Sequence, residues 1–320
     1  MPTYRYETLF GLKTLVLEND LLRVRILLSR GADIYELVYK PLEADILMKT
    51  PVKLEAYAGR DLARERLTYY AEMYPGGWQE LCPIFVEEVP GGGQGESATL
   101  PWDCEIAEEG KYLSARCTVD LPVTPLSMEK VFTLCPEGAL RISERIVSRA
   151  DRQLRFSINH HPAFGAPLVC AGAEVTLPPC KAFDYASYCE HPERPLADYE
   201  HPVEAAKVRG ETWDLTKAHG PEEDWNLFLT LKRCEEGRAA IRNPHSGLTM
   251  TLTWDLAAYP HLAYWTSTDN GQYTLALEPS RSYLIGGEHA IPNGEYCQLG
   301  PGEELRTWVK CQVGVQTRRN

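Results

Sequence analysis

The 320-residue sequence has no long apolar run. Nothing in it approaches the roughly 20 apolar residues of a membrane-spanning helix. It also has no basic run. Its 33 Lys and Arg are scattered among 45 Asp and Glu, a formal net charge of −12. Phosphate contacts need a basic face, so nucleic acid is excluded as a partner, and anionic membrane surfaces are disfavoured for the same reason. Several chemical signatures are missing as well. There is no His-Glu-x-x-His, no Gly-x-Ser-x-Gly, no Gly-Lys-Ser/Thr phosphate loop and no acidic calcium loop.

Paired cysteine spacing is absent too. The ten cysteines, at 82, 104, 117, 135, 170, 180, 189, 234, 297 and 311, include no Cys-x-x-Cys. That removes the zinc ribbon and the thioredoxin-type pair. His191, His201, His219, His245 and His289 are dispersed, without metal-ligand spacing. No metal and no cofactor is expected. The first residues carry Arg5, Glu7 and Lys13 among apolar ones, unlike a secretory leader, and no Asn-x-Ser/Thr acceptor occurs. The expectation is a cytoplasmic protein whose thiols are reduced and packed as small apolar groups.

What the sequence does have is a globular balance, 44% hydrophobic and 24% charged residues, with dense turn signals from 24 Gly and 23 Pro. Period-two alternation dominates. Leu22, Val24 and Ile26 alternate with Arg23, Arg25 and Leu27, and Leu248, Met250, Leu252 and Trp254 alternate with three threonines. Leu154, Phe156 and Ile158 alternate with Arg155, Ser157 and Asn159, and Leu275 and Leu277 with Thr274 and Ala276. Such stretches are strands with one face on a core. Turns such as Arg30-Gly31, Asn270-Gly271 and Pro301-Gly302 divide them. Many short strands separated by turns imply an all-β fold, a large antiparallel sandwich. With no composition shift along the chain, residues 1–320 read as one domain. Helical spacing of Leu62, Arg66, Tyr70 and Met73 predicts one short helix over 61–73. Residues 90–95 predict a surface turn, and 190–223 a long irregular excursion or a boundary.

Four places can carry chemistry. Ser157-Ile158-Asn159-His160-His161-Pro162-Ala163-Phe164 puts two histidines at a strand end. Adjacent strand residues point to opposite faces, so only one of His160 and His161 points into a given cleft. Either histidine suits acid–base work near neutral pH; the alternative is a satisfied polar residue. Glu278 ends an apolar strand on the parity opposite Leu275 and Leu277, where a carboxylate at the mouth of a sandwich can act as a base. Tyr74-Pro75-Gly76-Gly77-Trp78-Gln79-Glu80 joins two glycines to a ring and polar groups that suit a sugar; a buried Trp beside a turn is the alternative. Tyr259 to Thr266 is aromatic-rich, with Trp265 able to stack on a ring or to pack in the core.

Taken in order, these pieces resemble the aldose 1-epimerase, or galactose mutarotase-like, superfamily. The resemblance runs through Ser29-Arg30-Gly31-Ala32-Asp33-Ile34, Gly76-Gly77-Trp78-Gln79, His161-Pro162-Ala163-Phe164, Pro260 to Trp265, Leu277-Glu278-Pro279 and Leu299-Gly300-Pro301-Gly302-Glu303. It implies a mutarotase-like supersandwich with one or two short helices. It also implies the interconversion of aldose anomers, with His161 and Glu278 as the catalytic pair. Arg60, Trp78, Gln79, Asn159, His160 and Trp265 would contact the sugar. In the implied reaction Glu278 takes the C1 hydroxyl proton and His161 protonates the ring oxygen, without metal or nucleotide. The partner is then a small sugar, and the protein a monomer or homodimer. One departure stands out: Pro75-Gly76-Gly77-Trp78 has no histidine where better-studied members carry one, so sugar contacts differ there. Arg60, Arg64, Arg66 and Arg281 are available for a phosphorylated sugar. The alternatives are a non-catalytic sugar-binding sandwich, or a glycosidase or lyase that pairs Glu278 with Glu80 or Asp255.

Overall fold

Alternation becomes two antiparallel sheets packed face to face. The computed structural model describes residues 2–52, 54–57, 74–87, 89, 92–93, 95–109, 112–208, 210–222 and 226–316. The predicted helix over 61–73 and Arg60, Arg64 and Arg66 lie outside the described residues, as does part of the turn over 90–95. Among the described residues, one main sheet has twelve strands and the other eight, with two small two-stranded pairs beside them. In the centre of the larger sheet, Trp78–Leu81, Asn159–Phe164, Thr274–Ser280 and His261–Ser267 lie side by side. The smaller sheet runs from Glu174–Thr176 through Leu248–Trp254, Glu304–Val315 and Ala139–Ser148 to the edge hairpin Tyr112–Asp120 and Asp103–Glu109.

The core fills the space between the sheets. Leu15, Val24, Trp78, Phe164, Leu275 and Leu277 from the larger sheet meet Phe132, Leu140, Ile142, Met250 and Val309 from the smaller one, all buried. This is the period-two rule at work: inward parity packs, outward parity is left for other uses. The described helices are short, Tyr185–Glu190 and Gly287–Ala290. None is long and apolar enough to cross a membrane. The stretch 190–223 is more ordered than the expected excursion. Glu200–His201 extends the larger sheet and Ala206–Val208 pairs with Glu211–Trp213. These strands are two or three residues long, too short for a period to register in the sequence.

Gly76 and Gly77 have a local reason. Both have positive φ, at 81° and 86°. A Cβ on Gly76 would sit 2.2 Å from the Met48 carbonyl oxygen, and one on Gly77 2.6 Å from that of Ile34. What these glycines admit is the neighbouring backbone, which brings the chain into the centre of the sheet at Trp78.

Candidate active site

The outward face of the larger sheet carries the site. Asn159 is paired with Leu81 on one side and Ser280 on the other, and His161 with Gln79. Ala263 is opposite Glu278, and Trp265 opposite Ala276. Opposed residues share a face, so Asn159, His161, Glu278, Ser280 and Trp265 all project to one side. His161 Nε2 lies 3.4 Å from Glu278 Oε1. Asn159 Nδ2 donates to Glu278 Oε2 at 3.2 Å, across 119 positions of sequence. Tyr74 Oη lies 3.2 Å from His161 Nδ1. The rings of Tyr74 and Trp265 flank the imidazole, with centroids 5.3 and 5.7 Å from it.

A cleft of about 650 Å³ opens over this pair, within the range of ~300–1,000 Å³ usual for small-molecule sites. Ser157, Asn159, His161, Glu278, Ser280 and Ser282 supply its polar wall, and Phe85, Leu284 and Ile285 an apolar one. A second hollow of about 270 Å³ lies between Tyr74, His161, Phe228 and Trp265. Met48, Ala163 and Ala276 form a small apolar cluster with Tyr74 and Trp265 packed against it.

Glu278 is only 2% exposed. Its burial pushes the carboxyl above the ordinary glutamate range, against the opposing pull of His161 and the Asn159 hydrogen bond. Among the described residues, its Oε1, Asn159 Oδ1 and Ser157 Oγ are buried without a hydrogen-bond partner. All three belong to side chains that line the cleft. Buried polar atoms are rarely left unpaired, so this group suits a ligand rich in hydroxyls.

The inward parity holds a different assembly. Trp78 Nε1 donates to His160 Nδ1 at 3.2 Å, and His160 Nε2 lies 3.1 Å from Glu144 Oε1 on the opposite sheet. Tyr259 Oη donates to Glu144 Oε2 at 2.9 Å. Lys130 Nζ lies 2.9 Å from Glu80 Oε2, donates to the Gly31 carbonyl at 3.0 Å and sits over the Trp102 ring. Arg30 and Asp33 form a buried ion pair beside them. Burial and repulsion from Glu144 push Glu80 up to about 7.

The structure therefore brings His161, Glu278, Asn159 and Trp265 together, with Gln79 beside His161 on the same face. Trp78 and His160, expected at the sugar, are sealed between the sheets because they stand on the other parity. Gln79 stands opposite His161 on the outward face, but it is fully buried, does not line the cleft and donates to the Gly76 carbonyl at 3.4 Å. Glu80 points away from Glu278 into the core, and Asp255 lies in the turn after Leu248–Trp254 of the smaller sheet. The arginine at 281 is spent on the carbonyls of Tyr296 and Ala257. The cleft and the hollow beside it also take Tyr74, Ser157, Ser280, Ser282 and Phe228, to none of which the sequence assigns a role. Counting by twos from Asn159 and Glu278 reaches Ser157 and Ser280; Tyr74 opens the Gly-Gly-Trp segment, and Phe228 comes from a distant strand with no local signal. Among the described residues no group of three or more His, Cys, Asp or Glu is placed to hold a metal ion.

A sequence model of the family described as Domain of unknown function (DUF4432) matches residues 123–313. None of the curated proteins matches the chain. Solved structures do. The Slr1438 protein from Synechocystis sp. PCC 6803 is 20% identical with a TM-score of 0.66, covering 97% of each chain. A galactose mutarotase-like protein from Clostridium acetobutylicum is 12% identical with a TM-score of 0.68, over 98% of this chain and 99% of that one. Another galactose mutarotase-like protein, from Lactobacillus casei ATCC 334, is 15% identical with a TM-score of 0.60, over 94% and 100%. At these identities the likeness is one of fold, and the fold is the galactose mutarotase-like sandwich.

Proposed function

The chain belongs to the family described as Domain of unknown function (DUF4432), and from its site we propose that it is an aldose 1-epimerase-like isomerase that equilibrates sugar anomers. Fold does not fix function, so the reading rests on the site. The observation that carries it is a buried carboxylate whose Oε1 accepts no hydrogen bond and lies 3.4 Å from an imidazole, at the wall of a sugar-sized cleft.

The reaction needs a base for one oxygen and an acid for another, both attached to the same carbon. Glu278 Oε1 takes the proton of the C1 hydroxyl. In this reading His161 is the acid: Tyr74 Oη holds its Nδ1 side, and Nε2, beside Glu278 Oε1 at the cleft, carries the proton to be given. As the C1–O5 bond breaks, the Nε2 proton passes to the ring oxygen. Glu278 is now protonated, His161 is neutral and the sugar is an open aldehyde. Rotation about C1–C2 and the reverse transfers close the ring with the other configuration. Burial makes Glu278 a stronger base than a solvated carboxylate. Asn159 orients it, and Trp265 with Tyr74 offers flat apolar faces to the C–H side of a sugar ring.

The test is an NMR exchange or polarimetric assay over a panel of aldoses, including phosphorylated and sulfonated ones. The reading expects one class of sugar to equilibrate far faster with the native protein than with Glu278→Gln. If no sugar does so, the isomerase is excluded. Sugar affinity that survives Glu278→Gln, with no turnover in either protein, identifies a binding sandwich. The glycosidase and lyase readings lose their expected second carboxylate, since Glu80 faces the core and Asp255 belongs to the other sheet.

A further inference from the structure

Cys104 and Cys117 are directly opposed across the edge hairpin of the smaller sheet, formed by Asp103–Glu109 and Tyr112–Asp120. Their sulfurs are 3.0 Å apart. Opposed residues of an antiparallel pair have Cα atoms about 4.5–5.5 Å apart, inside the ~4.4–6.8 Å that a disulfide spans. Side-chain rotation alone can bring these sulfurs to bonding distance. We propose that Cys104 and Cys117 form a redox pair, closed into a cross-strand disulfide by low-molecular-weight disulfides. The pair lies on the smaller sheet and the sugar cleft on the larger, so this inference stands apart from the isomerase reading.

The two thiols are unequal in the way such chemistry requires. Cys104 is partly exposed on the outermost strand, while Cys117 is buried in the core. The hydrogen bond from Cys117 lowers the Cys104 thiol, with help from the Lys13 ammonium and against its burial and Glu105. The same hydrogen bond and burial raise Cys117. Cys104 is thus the readier of the two to ionise, and thiolates are the attacking species in exchange. Its sulfur attacks one sulfur of the small disulfide, forming a mixed disulfide and expelling one thiolate. Cys117 then loses its proton and attacks Cys104 Sγ. That step forms the intramolecular bond and expels the second thiolate. The balance is two protein thiols and one small disulfide in, one protein disulfide and two small thiols out. The strand at a sheet edge is where such a bond changes most, because Asp103–Glu109 has a partner on one side only.

The experiment uses the native full chain and oxidised glutathione. Remaining thiols are then alkylated under denaturing conditions. Trypsin and a glutamate-specific protease separate Cys104, Cys117 and Cys82 onto different peptides for mass spectrometry. The exposed Cys189 reports that the oxidant has acted. The expected product is a linked Cys104–Cys117 peptide pair, two hydrogens lighter than its parts. In Cys117→Ser, Cys104 is expected to stop at the glutathione adduct; in Cys104→Ser, Cys117 is expected to be recovered alkylated. If Cys189 carries glutathione while Cys104 and Cys117 are both alkylated, the pair is not redox-active and the proposal falls. It falls equally if the native protein holds glutathione on Cys104 with Cys117 alkylated.

Discussion

His161 Nε2 stands 3.4 Å from Glu278 Oε1, and each partner is held from behind, the imidazole by Tyr74 and the carboxylate by Asn159. A positioned base contributes about 10²–10⁴-fold to rate. Glu278→Gln keeps the shape and the Asn159 contact but removes the base. Anomer exchange should slow by about that factor while sugar affinity changes little. Saturation-transfer NMR on the variant checks this, and a rate within ten-fold of native would remove Glu278 from the chemistry.

The pH profile should carry the mark of the buried carboxylate. Glu278 is raised by burial, so its ionised form is lost at a higher pH than that of an ordinary glutamate, near ~4.3. The acidic limb of the rate profile should therefore lie above that value. The Asn159 hydrogen bond lowers the group. Asn159→Ala removes this support, so the carboxyl rises further and the acidic limb moves to higher pH. A limb that stays put or moves down would contradict the assignment of Asn159.

Tyr74→Phe isolates the other support. The ring stays beside His161 and Trp265, and only the hydroxyl at Nδ1 is lost. A hydrogen bond to a charged group contributes about 1.5–3 kcal/mol, so turnover should fall ten-fold or more with the melting temperature nearly unchanged. Equal losses of rate and stability would make Tyr74 a packing residue.

The sandwich was legible because alternation is a direct record of which face is buried. Leu275 and Leu277 announce the core side of their strand, and Glu278 announces the other. The parity argument also said that His160 and His161 face opposite ways, which they do. It could not say which face was the cleft; that followed from the resemblance. Trp78 and Gln79 show where it stopped. Nothing local in Gly76-Gly77-Trp78-Gln79-Glu80 distinguishes a ring offered to a sugar from a ring sealed between sheets. The difference lies in Lys130 and Glu144, from strands of the opposite sheet, and in Tyr259, from the loop before His261–Ser267, all far away in sequence. Phe228 at the cleft is of the same kind.

That distinction can be measured on two tryptophans. Trp265 borders the hollow beside His161, whereas Trp78 is buried against His160. Trp265→Ala should raise the KM for sugar with a small effect on stability. Trp78→Phe leaves His160 Nδ1 without its donor, and an unsatisfied buried acceptor costs about 1–3 kcal/mol. Its effect should appear in urea denaturation and leave KM nearly unchanged. A large rise in KM for Trp78→Phe would return that ring to the sugar site.

Lys130 is a cation buried against Glu80 between the sheets. It sits 2.9 Å from Glu80, a few percent exposed at most, with Glu144 also acting on it. Removing one partner of a buried pair is typically destabilising by about 3–5 kcal/mol, because it leaves a buried charge uncompensated. Lys130→Met leaves two carboxylates, Glu80 and Glu144, in that position. The direction with pH follows from Glu80, whose folded value of about 7 lies above its unfolded ~4.3. An acid raised on folding binds its proton more tightly in the native state. It therefore costs stability as pH rises from about 4 through 7. Without Lys130 that value rises further, so the variant should lose most stability at and above neutral pH. It should recover part of the loss as the pH falls toward 5. Urea unfolding of native protein and Lys130→Met at both pH values measures the difference. A penalty that is the same at both would mean that Glu80 is not the group left exposed to the missing charge.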